Sequence, residues 1–271
     1  GSLPLLEPAN VLGSLSYFID LGKFWEHRTE IFNKEQLKAL DAVDKQSGAF
    51  LGGIKLGQLL TQAGPHQRVV VVQQTKPGYK IKPKQQIPGF AVVLSMRDEA
   101  FGKNMETVLR SAALLGSFQL DLKMIEEKRG EFTLVGYRFP EEGDSKFGPD
   151  YQTIQYNFSP CFAQVGKQFI VSSTIELGRE LIDIVSKESA SQASPATTRA
   201  RLYSTGGADI MRTNQDFLLT QFVLSQALEP KAARKQLDQL IQLVDRLGVL
   251  EFDVQYGERE ARLDIHVKFG K

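Results

Sequence analysis

One cysteine in 271 residues rules out an intramolecular disulfide. That thiol, Cys161, lies between Pro160 and Phe162 in an apolar stretch. It reads as a small core residue, because free cysteine is among the most buried residue types. No run reaches the roughly 20 apolar residues that a membrane-crossing helix needs. Neither sign of charge dominates: 33 Lys and Arg face 32 Asp and Glu, for a formal net charge of +1. The chain as a whole therefore has no field to draw nucleic acid or an anionic membrane. The three histidines, His27, His66 and His266, are scattered. No His-Glu-x-x-His pair, Cys-x-x-Cys, Gly-x-Ser-x-Gly elbow or Gly-rich dinucleotide loop occurs, so no motif names a metal or a cofactor. The adjacent pairs Glu126-Glu127 and Glu141-Glu142 are poor acid/base couples, since neighbours on a strand point to opposite faces. No leader peptide opens the chain. Its start, Gly1-Ser2-Leu3-Pro4, lacks Met and reads as the scar of a removed tag. The expectation is a piece of a longer polypeptide.

What is present is an ordinary soluble composition, 42% hydrophobic and 24% charged. A chain of this length buries a core without staples. The most informative stretch is Pro160–Ser186. Phe162–Val165 and Phe169–Val171 are apolar, and Gly166-Lys167 between them suits a type II′ hairpin turn, because Gly reaches positive φ without steric cost. Lys167 is followed by Gln168 where a phosphate loop needs Ser or Thr, so the turn is structural. Ser173-Thr174-Ile175-Glu176 matches a capping box with Ser173 as the cap. Leu177, Leu181 and Ile184 then share one helical face.

Further elements follow from the same patterns. Ser14–Asp20 reads as a strand, Gly22–Phe32 and Lys34–Gln46 as helices, and Lys55–Gln62 as a short helix stopped by Gly64-Pro65. The Val run in Arg68–Gln73 and the apolar Phe90–Met96 read as buried strands. Asp98 caps a helix whose stripe is Phe101, Met105, Val108, Ala112 and Leu115, ended at Gly116. Met124–Glu127 and Phe132–Phe139 form a hairpin. Alternation over Tyr151–Phe158 predicts a half-buried strand. Glu188–Thr198 is small and polar and reads as a flexible connection. Arg199–Ser204 is a strand, Ala208–Leu228 one helix, and Pro230 opens another. In the last segment Ala261, Leu263, Ile265, Val267 and Phe269 alternate with Arg262, Asp264, His266 and Lys268. With Glu251–Tyr256 this predicts an antiparallel hairpin with one buried and one wet face.

Strand, polar break and helix recur at SLSYFIDLGKFWEH, GFAVVLSMRDEAFGKN and RARLYSTGGADIMRTN. The fold class is α+β, with antiparallel sheets and helices packed on their faces. Three segments are expected. Residues 1–64 form a helical N-terminal part that ends a preceding unit. Residues 65–188 form an α+β unit. Residues 189–271 form a smaller α+β unit packed on it.

One connector has a composition of its own. Thr75–Gly89 holds Lys76, Lys80, Lys82 and Lys84 among three prolines. With Arg68 these lysines make a candidate anion site. A solvated loop, or an edge strand guarded by Lys, is the plainer alternative, because Tyr79 is its only aromatic.

The segments FAQVGKQFIVSSTIELGRELIDIV, QLIQLVDRLGVLEFDVQYGEREARLDIHVKFG and SLSYFIDLGKFWEH together resemble bacterial families of unknown function found in exported or membrane-anchored proteins. The resemblance implies an extracytoplasmic location, in the periplasm or on a membrane anchor, and brings no catalytic residues. The functional expectation is a noncatalytic extracytoplasmic binding or scaffold domain. Its partner would be another protein or the N-terminal part of the same polypeptide. The alternatives are a hydrolase with a site assembled from dispersed residues, and a weak anion-binding module.

Overall fold

The computed structural model describes residues 1–76, 78–141, 154–188, 193–257 and 259–270. Alternating and β-branched segments become strands: β1 Val11–Phe18, β2 Ala63–Val72, β3 Gly89–Met96, β4 Lys123–Arg129, β5 Phe132–Arg138, β6 Cys161–Val165, β7 Gln168–Ser172, β8 Thr198–Tyr203, β9 Val249–Tyr256 and β10 Ala261–Lys268. The helices are α1 Leu21–Glu26, α2 Arg28–Ile31, α3 Lys34–Phe50, α4 Leu56–Gln62, α5 Glu99–Leu120, α6 Ile175–Ser186, α7 Ser204–Thr213, α8 Gln215–Gln226 and α9 Pro230–Arg246. The strands form one antiparallel sheet in the order β10-β9-β8-β1-β2-β3-β7-β6-β5-β4. The fold is α+β. All three sequence segments feed this sheet: β1 comes from residues 1–64, β2 to β7 from the middle segment apart from the first residues of β2, and β8 to β10 from the last.

Two layers cover the β3 to β5 half. On one face α6 lays Ile175, Leu177, Leu181, Ile182 and Val185 onto Ala91, Val93, Leu134, Cys161, Ala163 and Ile170, and Leu6 joins them. On the opposite face Phe101, Met105 and Leu109 of α5 meet Phe162, Phe169, Val135 and Tyr137. The strand period of two divides the residues in this way: Cys161 and Ala163 point to α6, and Phe162 points to α5. Elsewhere α7, α8 and α9 close a small core among themselves around Ala208, Leu237 and Ile241. Among the described residues no helix is long and apolar enough to cross a membrane.

The Gly166-Lys167 turn forms as expected, with Gly166 alone at positive φ, 55°. The helix cap differs by one residue. Thr174, not Ser173, caps α6, its Oγ1 accepting from Leu177 N–H at 3.4 Å. Ser173 Oγ is occupied by Phe90 N–H at 2.8 Å, where β7 runs past the start of β3. Thr174→Ala is expected to lower stability by about 1 kcal/mol in urea unfolding, the usual worth of a cap.

Other departures have local causes. α5 passes through Gly116, since one interior Gly costs only about 1 kcal/mol. It stops instead at Asp121, which is left-handed with φ 51°. Gly22–Phe32 divides into α1 and α2 at His27. Gly64 and Pro65 lie inside β2, where the pairing with β3 is irregular between Ala63 and Gln67. The strand expected at Tyr151–Phe158 is corrected: residues 151–153 lie outside the described residues, and Ile154–Asn157 is a 3-10 turn. Asn157 turns its amide onto the backbone of Ile154, Gln85 and Ile87 instead of pairing in a sheet. The helix expected over Ala208–Leu228 is two helices that break at Asn214, whose amide clamps the backbone of Gln86. Of the connection at Glu188–Thr198, residues 189–192 lie outside the described residues. The C-terminal hairpin forms, yet its apolar phase is not buried. Leu263, Ile265, Val267 and Phe269 are 58%, 53%, 42% and 74% exposed, because β10 ends the sheet and no described helix packs closely on it.

Candidate functional site

The basic connector between β2 and β3 is held in place by side-chain amides and one phenol. Gln74 Nε2 donates to Ile87 O at 2.6 Å and to Asn157 O at 3.0 Å. Asn157 Oδ1 accepts from Ile87 N–H at 2.8 Å. Asn214 Oδ1 accepts from Gln86 N–H at 2.9 Å, and its Nδ2 donates to Gln86 O at 2.9 Å. Tyr79, buried in the middle, donates to Phe158 O at 2.8 Å and accepts from Phe139 N–H at 3.1 Å. Burial pushes its phenol pKa up. Its ring meets Tyr156 edge-on at 5.1 Å, and the Arg138 guanidinium lies 5.0 Å from its centre. The loop is thus built around Tyr79. The sequence shows Tyr79 as a lone aromatic, and nothing in it marks Asn157 or Asn214 as clamps.

Two concavities flank this anchor. One, of about 220 Å³, has Lys76 and Lys82 beside Tyr79 and Tyr156, with no carboxylate among its described walls. The other, of about 590 Å³, has Lys80, Lys123 and Arg138 against Glu141. Glu141 Oε1 accepts from Lys80 N–H at 3.0 Å. Glu142 lies outside the described residues. Cations therefore outnumber described carboxylates on both sides of Tyr79.

A third cleft, of about 360 Å³, lies between α6 and the end of β2 and shares Lys76. Its charges are matched. Arg129 grips Asp183 through two bonds, one of 2.6 Å from Nε. Arg179 grips Glu127 at 2.7 and 2.6 Å. These guanidiniums hold the Asp183 and Glu127 carboxyls below their ordinary range. Glu126 points the other way, to Arg110 of α5 at 2.6 Å, so the adjacent pair does divide between the two faces.

The five candidate anion ligands part company. Lys76 and Lys82 share one concavity, and Lys80 lines the next. Lys84 is exposed on the same connector and lines neither. Arg68 does not join them. It is 1% exposed on β2, and its guanidinium donates to Glu188 at 2.5 and 2.9 Å, to Gln168 Oε1 at 2.5 Å and to Pro4 O at 3.4 Å. Glu188, Gln168 and Pro4 take both terminal nitrogens, and the remaining Nε is buried without a partner, so Arg68 is a packing and pairing residue. Lys123 and Arg138 take its place, brought in by the β4–β5 hairpin.

The histidines lie apart. His27 pairs with Glu30 at 3.1 Å on an exposed turn. His66 packs edge-on against Phe18 at 5.3 Å, and burial pushes its pKa down. His266 stands opposite Glu251 on the edge hairpin. Among the described residues no group of three or more His, Cys, Asp or Glu could hold a metal ion. Cys161 is buried against Gly178, its Sγ donating to Thr174 O at 3.3 Å. No protein-family model, no curated protein and no solved structure matches this chain.

Proposed function

We propose that this chain is a noncatalytic binding domain of an extracytoplasmic bacterial protein, and that its ligand is an anion seated along the connector around Tyr79. One observation carries the binding reading. Lys76, Lys82, Lys80, Lys123 and Arg138 line two adjoining concavities whose described walls hold one carboxylate, Glu141. A chain of net charge +1 has no general excess of cations, so this local imbalance is built by the fold. The amide clamps fix the connector before any ligand arrives, which lowers the ordering cost of binding. The likeness to exported families supports the location.

The test is titration with inorganic polyphosphate at low and high salt. Binding is expected at low salt and should fade as salt screens the exposed lysines. The triple variant K76A/K80A/K82A should bind about tenfold more weakly, three exposed charge contacts at roughly 0.5 kcal/mol each. A control that removes Lys34, Lys38 and Lys45 from the outer face of α3 should bind as the parent does. Equal losses in both variants would show general charge attraction and defeat the assignment of the site.

A further inference from the structure

The sheet has two free edges, and they are built differently. β4 is charged at Lys123, Glu126, Glu127, Lys128 and Arg129. Arg110 and Arg179 reach across to pin Glu126 and Glu127. Such an edge resists pairing with another strand. β10 has eight residues, no proline and a strict alternation. Leu263, Ile265, Val267 and Phe269 stand on one face, more than two-fifths exposed. Arg262, Asp264, His266 and Lys268 stand on the other. Among the described residues its only strand partner is β9, which leaves its outer backbone groups open.

We infer that β10 pairs antiparallel with β10 of a second copy of this chain, about a two-fold axis at His266. Pairing must set apolar residues beside apolar ones, because a slip of one residue exchanges the faces. That restricts the axis to pass through a residue. About Ile265, Arg262 would meet Lys268, two like charges. About Asp264, that carboxylate would meet its own copy. About Val267, Lys268 would face His266 and Asp264 would face Gly270. About His266, Asp264 meets Lys268 twice, Leu263 meets Phe269 twice and Ile265 meets Val267 twice, while Arg262 faces Gly270 and the uncharged imidazole of His266 meets its own copy. This register satisfies charge and apolarity together, and opposite charges directly across a ladder favour pairing. Lys268 then lies between its own Glu251, at 3.1 Å, and Asp264 of the second copy, which also holds its own Arg262 at 2.9 Å. A two-fold contact of this kind is isologous and closes at the dimer.

The oligomeric state of the full chain, read by sedimentation and light scattering across a concentration series, decides first: a dimer is expected. K268D should weaken it about tenfold, because two opposite-charge pairs become like-charge pairs. The exchange D264K/K268D should restore part of it, since the pairs across the axis are reversed but still opposite, while each new charge meets a like one in its own chain, Arg262 or Glu251. H266C supplies a register test that does not depend on affinity. Its thiol faces its own copy, while Cys161 is buried, so mild oxidation should give a covalent dimer, and D264C should give far less. Circular dichroism confirms that each variant is folded. A monomer at every concentration would overturn the inference. So would a dimer indifferent to charge reversal, which places the contact elsewhere on the chain, or one that D264C links better than H266C, which moves the axis to Asp264.

Discussion

Glu188→Ala is expected to destabilise the fold by about 3 kcal/mol, because it strips a buried guanidinium of its counter-charge. Arg68 is 1% exposed, so water cannot replace the lost carboxylate. Glu188 itself keeps some contact with solvent, which places the effect at the lower end of the range for broken buried pairs. The guanidinium also ties Gln168 of β7 and the Pro4 carbonyl to β2, across the face that α6 and Leu6 cover. The loss should therefore appear as a lower midpoint in urea with an unchanged slope, a change in stability alone. R68M/E188L, which removes both charges and keeps much of the volume, should recover most of the stability. A Glu188→Ala variant within about 0.5 kcal/mol of the parent would show that the pair is solvated and its geometry inconsequential.

Raising the pH should unfold this protein partly through Cys161. Burial, reinforced by the negative charge of Glu176, lifts its thiol from 9.0 to about 12. In the unfolded chain the thiol ionises near its ordinary value. Between those two values the unfolded state binds fewer protons than the folded one, so stability falls as pH rises. Each pH unit above the unfolded value costs about 1.4 kcal/mol, hence about 2 kcal/mol by about pH 10.5. Tyr79, Tyr137 and Tyr203, also raised by burial, contribute in the same direction. Urea unfolding of the parent and C161A at about pH 8 and about pH 10.5 separates the two sources. The parent should lose about 2 kcal/mol more than the variant. Parallel losses would mean that the thiol already ionises in the native state. Reagents that attack thiols should leave native Cys161 alone and label it on unfolding.

Local order was legible wherever one physical rule acted alone. The Gly166-Lys167 turn needs positive φ, Pro230 suits a first helical turn, and Asp98 accepts from Ala100 N–H as a cap should. The α+β class followed from strands that alternate and helices with one apolar face. Errors arose where distant contacts compete with local ones. Ser173 and Thr174 are equal as caps until Phe90 claims the first. Asn214 breaks a helix because Gln86, 128 residues away, needs its amide. The strand order was not legible, since alternation states that a residue has a buried side but not which strand lies beside it. The connector lysines were visible as composition. Lys123 and Arg138, the other cations beside Tyr79, were not, because only the β4–β5 hairpin brings them near. Arg68 misled for a related reason: Glu188 and Gln168, its acceptors, lie 120 and 100 residues further on.

The place of β1 in the sheet sets a timetable for synthesis. It pairs with β2, the next strand of the chain, which begins at Ala63, and with β8, which begins at Thr198. A ribosome adding roughly 5–20 residues per second needs on the order of ten seconds or more to travel from Phe18 to that strand. Through that interval the second edge of β1 is open, in what later becomes the middle of the sheet. Its residues there are modest templates for a stray strand: Gly13, Ser14 and Ser16 give little apolar surface to hold one. Ser14 and Ser16, buried beside Val70 and Arg68 in the finished sheet, would also keep the growing chain out of unwanted partnerships until β8 is made.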